Sequence, residues 1–399
     1  MKRISALMMA MTMAMGTVAA GAAHAGSGSR TDRDTLRRDA NALLDQGAPG
    51  VLAELDTPRG EVTVRSGFGD ADRETPVPWN ARFRIGSFTK TYVAATVLQL
   101  VGEGRLSLED TVERWLPGVV SGNGNDGSRI TVRQLLQHTS GLPEYLRAMP
   151  ELFDREQFER ARFRTFRPHD LVARAMRFEP DFAPGEDLRY SNTNYILAGM
   201  IIHRVTGHSW QHEVRTRIIE PLGLRHTYAP GSFPFVPGPN AVGYARFLTD
   251  LDRPEDPGTW TEPVDTTVLN PTWGGAAGAM ISTTEDGNRF LRALLGGRVL
   301  RPAQLAEMTR TVRAPYFDPA WPGARYGLGL MWIPNSCGGS WSHGGDIHGF
   351  KTRNGVTTDG TRSVVVSINS DSLVPKPGAP ELTTDPTVEL IEHALCGTR

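Results

Sequence analysis

Residues 91–103 read as a helix that is apolar almost all round. Such a helix cannot rest on a surface and must be enclosed by other layers on every side. The chain is therefore expected to wrap a large core around this segment. Directly ahead of it stands Arg84-Ile85-Gly86-Ser87-Phe88-Thr89-Lys90. A serine at the start of a buried helix faces unsatisfied backbone N–H groups and the positive end of the helix dipole. A lysine three residues on lies on the same face, one turn along. The pattern S-x-x-K is loose alone, and an N-cap serine with a solvated lysine also fits it. Composition separates the two readings. Only four residues are lysines, Lys2, Lys90, Lys351 and Lys376, in a chain with 43 basic side chains. Where a plain cation suffices this sequence uses arginine, so Lys90 points to a need for the one basic side chain whose pKa is readily tuned.

The 399 residues allow two domains or one large composite domain. Residues 31–46 read as an amphipathic helix, and 51–55, 61–68 and 81–85 as strands. The middle of the chain is helical and rich in loops. It includes short helices at 106–115 and 131–138 and an apolar helix at 192–205. Strands return at 326–333, 340–342, 349–354 and 363–369, followed by a helix at 383–395. This order predicts an α/β (α+β) sheet domain made from residues 30–85 and 275–399. A mostly helical region, 86–274, is inserted between them, with the active site at the interface.

Lys2 and Arg3 precede an apolar stretch ending near Ala20, then Ala23-His24-Ala25. Residues 1–25 are expected to be a signal peptide, giving a secreted chain that starts near Gly26. No later segment approaches the roughly 20 apolar residues that span a bilayer, so no stable membrane anchor is expected. A net charge of −1 without charge blocks argues against a nucleic-acid partner. Two cysteines in an exported chain are most simply one disulfide, Cys337–Cys396. It would tie the C-terminal helix to the sheet and contribute roughly 4 kcal/mol.

Two further motifs carry chemistry. Tyr190-Ser191-Asn192 precedes the apolar helix, where a tyrosine hydroxyl can point into a cleft. Taken alone, local sequence favours a packing tyrosine and an N-cap asparagine. Ser342-His343-Gly344-Gly345-Asp346 falls between strands. Its glycines mark either a close approach or a hairpin turn. There is no G-x-S-x-G, no H-E-x-x-H, and no phosphate-binding glycine loop. His208 and His212 read as surface histidines, and neither metal nor cofactor is expected.

Ser87-x-x-Lys90, Tyr190-x-Asn192 and His343-x-Gly345 occur in one order. With them stand His138-Thr139-Ser140-Gly141-Leu142, Trp273 ahead of Gly278-Ala279-Met280, and Tyr326-Gly327-Leu328-Gly329-Leu330. Together they resemble the penicillin-recognising serine hydrolases over nearly the whole mature chain. Within these the chain is similar to exported D-alanyl-D-alanine carboxypeptidases of actinomycetes, with class C β-lactamases as cousins. The resemblance implies a β-lactamase/transpeptidase-like fold, an antiparallel sheet flanked by helices with the site in the groove beside a helical domain. It implies Ser87 as the acylated nucleophile, with Lys90 and Tyr190 sharing its proton. Asn192, Trp273, His343, Gly345 and Asp346 would bind substrate, with the N–H groups of Ser87 and Asp346 holding the oxyanion.

Free lysine titrates near about 10.4 and tyrosine near about 10, so bringing either into range at pH 7 costs roughly 4 kcal/mol. The two form a coupled pair, and Tyr190 is taken here as the group that accepts the proton and returns it. The implied substrate is a small D-amino-acid-containing peptide of the D-alanyl-D-alanine carboxypeptidase type, with β-lactams as inhibitors. The chain departs from that pattern at two places. Gly344 and Asp346 stand where hydroxyls would hold a substrate carboxylate, and Met331 stands where an arginine would. An aspartate there repels a carboxylate and favours a cation, and His348 or Arg353 could restore positive charge. The alternative is therefore a D-aminopeptidase, D-amino-acid amidohydrolase or esterase. A β-lactamase or a non-catalytic penicillin-binding receptor stands further off.

Overall fold

The computed structural model describes residues 29–249 and 260–397. The leader, 1–25, lies outside the described residues. α1 (Arg30–Asp45) starts at Ser29, whose hydroxyl accepts the Asp32 N–H, and buries Leu36, Ala40 and Leu43. β1 (Gly50–Thr57) and β2 (Gly60–Asp70) form a hairpin, and β3 (Thr75–Pro76) extends it. α2 (Thr89–Gly102) is the apolar helix of the opening motif. α3 (Asn192–Thr206) is the second apolar helix, and Gly207 ends it in the left-handed region. α4 (Thr284–Leu295) is capped by Thr283. Six strands then complete the main sheet before α5 (Val388–Cys396): β4 (Val312–Arg313), β5 (Arg325–Tyr326), β6 (Met331–Ile333), β7 (Ser340–Ser342), β9 (Phe350–Thr357) and β10 (Ser363–Ile368). β8 (Gly345–Ile347) pairs only with β9.

The sheet order is β4-β5-β6-β7-β9-β10-β1-β2-β3, antiparallel at every pairing. The chain ends meet at its centre, where Val51 pairs with Ile368 and Asp56 with Ser363. In β10 the alternation divides two apolar faces. Val364, Val366 and Ile368 pack under α1 and α5, while Val365 joins the main core beside α4.

That main core surrounds α2. Ten consecutive residues, Thr89–Leu98, are buried. The ring of Tyr92 stacks on Phe290 of α4 with centroids 3.7 Å apart. One continuous cluster runs from the helical half, through α2 and α3, to Phe350 and Val365 in the sheet. The Cys337–Cys396 disulfide is present and joins the loop after β6 to the end of α5.

Three elements differ from the sequence expectation. The run 326–333 is two strands, because Gly327 N–H donates to Leu330 O and turns the chain; Thr91 Oγ1 then donates to Gly329 O. Only Val112–Trp115 is helical in 106–115, because Asp110 accepts the Ser107 N–H in a preceding turn. Residues 345–347 form a strand of their own, with His348-Gly349 as the two-residue turn to β9. Among the described residues no helix is long and apolar enough to cross a membrane.

Candidate active site

Ser87 sits in a single helical turn, Gly86–Phe88, that runs directly into α2. Its backbone N–H is one of the unpaired donors at a helix start. β8 comes up against this turn. A side chain at Gly345 would collide with Ile85 O and lie 2.7 Å from Ser87 N, and one at Gly86 would lie 2.9 Å from Asp346 N. Gly86 also has φ +51°, in the left-handed region. Two glycines thus let the backbones of residues 87 and 346 face each other. Ile347 pairs with Phe350 across a two-residue turn, so antiparallel alternation turns the Asp346 N–H away from β9 and toward Ser87.

Lys90 has no exposed surface. Its Nζ lies 2.9 Å from Ser87 Oγ, 2.8 Å from Asn192 Oδ1 and 2.7 Å from Ala277 O. It also stands 4.7 Å from the Tyr190 ring centre. Burial pushes the Lys90 pKa well below its usual value, and the more distant Glu144 carboxylate opposes this weakly. The Tyr190 hydroxyl is buried without a hydrogen-bond partner. Burial drives its pKa well above the usual phenol value, and the Ser87 hydroxyl, near but outside good hydrogen-bond geometry, opposes this without offsetting it. These directions favour a neutral amine and a neutral phenol. The direction at Tyr190 runs against the expectation that it is the first proton acceptor, since a phenolate is the form its burial disfavours.

The structure brings Asn192 to the pair but commits its amide. Oδ1 accepts from Lys90, while Nδ2 donates to Glu144 Oε2 at 2.9 Å. Glu144 also accepts the Asn192 N–H at 2.7 Å. Sequence reading missed Glu144, whose one signal is its place two residues after the Gly141-Leu142 turn. His138 was quoted only as part of a motif. Its ring lies 4.3 Å from that of Tyr190, centre to centre.

A cleft of about 180 Å³ opens beside Ser87 and Asn192. Its walls include Tyr145, Leu152, Phe153, Trp273 and Ile347. Trp273 is thereby in the cleft, as expected. His343, expected to bind substrate, is buried and has both ring nitrogens engaged within the protein. Its Nδ1 lies 2.8 Å from Gly344 O and its Nε2 2.9 Å from Tyr326 Oη. A carbonyl only accepts, so Nδ1 carries the hydrogen and Nε2 accepts the Tyr326 hydroxyl proton. Burial lowers the His343 pKa to about 3, which keeps it neutral.

Asp346 also departs from expectation. Its carboxylate is bound by Lys351 Nζ at 2.8 Å and Arg353 at 3.0 and 3.2 Å. Desolvation works against it, but the two cations outweigh that and hold its pKa well below the carboxylate range. Its charge is neutralised and does not set the preference of the cleft. Arg353 is committed further, to Asp385 at 2.7 Å. Met331 is buried against Tyr326 and Ala314 and does not face the cleft. The described residues lining the cleft include no lysine or arginine. They do include Asp371, whose Oδ1 accepts only long bonds, from Gly349 N–H at 3.3 Å and Ser372 Oγ at 3.2 Å. Burial raises its pKa, and the neighbouring His348 offsets part of this.

A buried lysine beside a serine, with two backbone donors opposite, defines an acyl-transfer serine site. Residues 31–384 match the Beta-lactamase family, and the chain belongs to it. Among solved structures it is similar to a D-stereospecific amidohydrolase from Streptomyces sp., with 40% identity and a TM-score of 0.80 over 92% of this chain and 99% of that one. It is also similar to the D-amino acid amidase of Ochrobactrum anthropi SV3 complexed with D-phenylalanine. There the identity is 26% and the TM-score 0.76, over 92% and 98% of the two chains. Penicillin-binding protein 4* of Bacillus subtilis (strain 168) is 31% identical over 172 residues, 42% of this chain and 35% of that protein. The chain spans about a third of the length of the curated relatives it matches.

Proposed function

We propose that this chain is a D-amino-acid amidohydrolase, cleaving amides or short peptides whose D-residue carries a free amine and an apolar side chain. One observation carries this: the cleft has a half-buried carboxylate, Asp371, held only by long hydrogen bonds, apolar walls, and no guanidinium or ammonium among its described lining residues. A carboxylate so placed gains from a cationic partner, and a substrate carboxylate there has no counter-charge. Likeness to the two D-specific structures supports the D configuration. It favours this reading over the carboxypeptidase one.

The chemistry follows from Lys90. Asn192 Oδ1 and Ala277 O can only accept, so they take its two N–H bonds. The lone pair of the neutral amine is left for the Ser87 hydroxyl. As Ser87 Oγ bonds to the amide carbon, Lys90 Nζ takes the proton. The N–H groups of Ser87 and Asp346 hold the oxyanion. The C–N bond breaks as Tyr190 Oη gives its proton to the leaving nitrogen and regains one from Lys90. Water then cleaves the ester by the same proton route, releasing the D-amino acid and Ser87. β-Lactams would acylate Ser87 in the same way.

Export is part of the same proposal, supported by a disulfide that suits an oxidising compartment. A secreted protein whose first residue lies near Gly26 would agree with it; a chain retained intact in the cytoplasm would contradict it. The activity is tested with D-phenylalanine amide, its N-acetyl form, L-phenylalanine amide and an N-blocked peptide ending in D-Ala-D-Ala. We expect the free D-amide to be preferred and N-acetylation to cost about tenfold or more in kcat/KM. Preference for the blocked D-Ala-D-Ala peptide would overturn the proposal.

A further inference from the structure

A second cavity, of about 530 Å³, lies on the far side of the segment that holds Lys90. That size suits an organic ligand. Thr272, Gly275 and Ala276 face this cavity, whereas Trp273, Gly274 and Ala277 face the cleft, so one stretch of chain is a shared partition. Trp115, Leu171, Ile196, Met200 and Trp210 form apolar walls. Hollows of this kind are costly to leave facing water.

Among the described lining residues Arg204 is the one fixed charge, and two histidines stand beside it. His169, His203 and Arg204 stand there exposed, and no acidic residue lines the cavity. Arg204 has no carboxylate partner among the described residues. His203 and Arg204 lie in the last turn of α3, where cations favour the helix dipole. That accounts for His203 and Arg204, but not for His169 from another segment or for the apolar hollow beneath them.

We propose that this cavity is a binding site, separate from the cleft, for a small amphiphile with an apolar body and one anionic head. The body fills the space between Trp115, Met200 and Trp210, and the head meets Arg204 with His203 and His169. The test is calorimetry on the mature protein, below micelle-forming concentrations, with dodecanoate, dodecanol and dodecyltrimethylammonium. Dodecanoate should bind at one saturable site, with the other two at least about tenfold weaker, the scale of one charge-assisted contact. Arg204→Glu, a surface change, should weaken dodecanoate by a similar factor and leave cleavage of the cleft substrate unchanged. Met200→Phe should fill the space and abolish binding in a protein that still cleaves that substrate.

Absence of saturable dodecanoate binding would overturn the proposal. So would equal affinity for dodecanol, an unchanged affinity in Arg204→Glu, or competition between dodecanoate and a covalent Ser87 ligand. None of these readouts depends on which amide the cleft hydrolyses.

Discussion

Two buried basic side chains flank the cleft, and their partners give them opposite fates. Lys90 is enclosed among neutral groups: a hydroxyl, a side-chain amide oxygen and a backbone carbonyl. Arg353 is enclosed between two carboxylates, Asp346 and Asp385. Burial alone would lower both pKa values. It prevails at Lys90, whereas the carboxylates outweigh it at Arg353 and raise its pKa. The first is therefore suited, as a neutral amine, to accept a proton, and the second is a fixed brace bridging β8 and β9 to the loop before α5. Burial alone does not suit a residue to catalysis; Lys90 differs from Arg353 in having neutral hydrogen-bond partners and a serine hydroxyl at 2.9 Å.

The largest effect expected from breaking this contrast comes from giving position 90 the other residue's chemistry. Lys90→Arg places there a cation that cannot deprotonate, and kcat should fall about 10²–10⁴-fold while the fold persists. A rate within a few fold of wild type would mean that Lys90 is not the base. Next is the brace itself. Arg353→Met leaves Asp385 buried and unpaired, and denaturant unfolding should show a loss of about 3–5 kcal/mol. An unchanged midpoint would show that the ion pairs do not hold β8 against the Ser87 turn.

The smallest effect tests whether the rule extends to an anion. Glu54 is buried with the neutral Thr284 hydroxyl as its side-chain partner, at 2.7 Å. Burial raises its pKa from 4.5 to about 7. The folded state then holds that proton more tightly than the unfolded one. Its stabilising contribution is full below about 4.5 and is lost as pH rises through about 7. Glu54→Gln should therefore gain about 1–3 kcal/mol near pH 8 and little near pH 4. A loss of stability at both pH values would count against the rule.

How much of this was legible in the sequence depended on distance along the chain. Ser87 and Lys90 lie one helical turn apart, so spacing and the scarcity of lysine exposed them together. The strands of the central sheet were visible because β1, β2 and β10 carry dense apolar runs between turn residues. Glu144 was not visible, because its bond to Asn192 spans 48 residues. The neutralisation of Asp346 was hidden for a related reason. One partner, Lys351, comes from across a hairpin that sequence reading left unresolved, and Arg353 is anchored by Asp385, 32 residues on. His343 stood in a motif and was read as a cleft residue, yet the ring turns inward to Tyr326. Motif position fixed the backbone there, and only packing decided where the side chain went.

The central claim is that Lys90 is a neutral amine in the resting enzyme. With four lysines in the whole chain, NMR of lysine labelled at the ε-carbon and ζ-nitrogen can follow each one through a pH titration. The resonance that disappears in Lys90→Arg should titrate well below the usual value of about 10.4. If that resonance keeps its charge up to about pH 10 or beyond, the account of Ser87 activation is wrong.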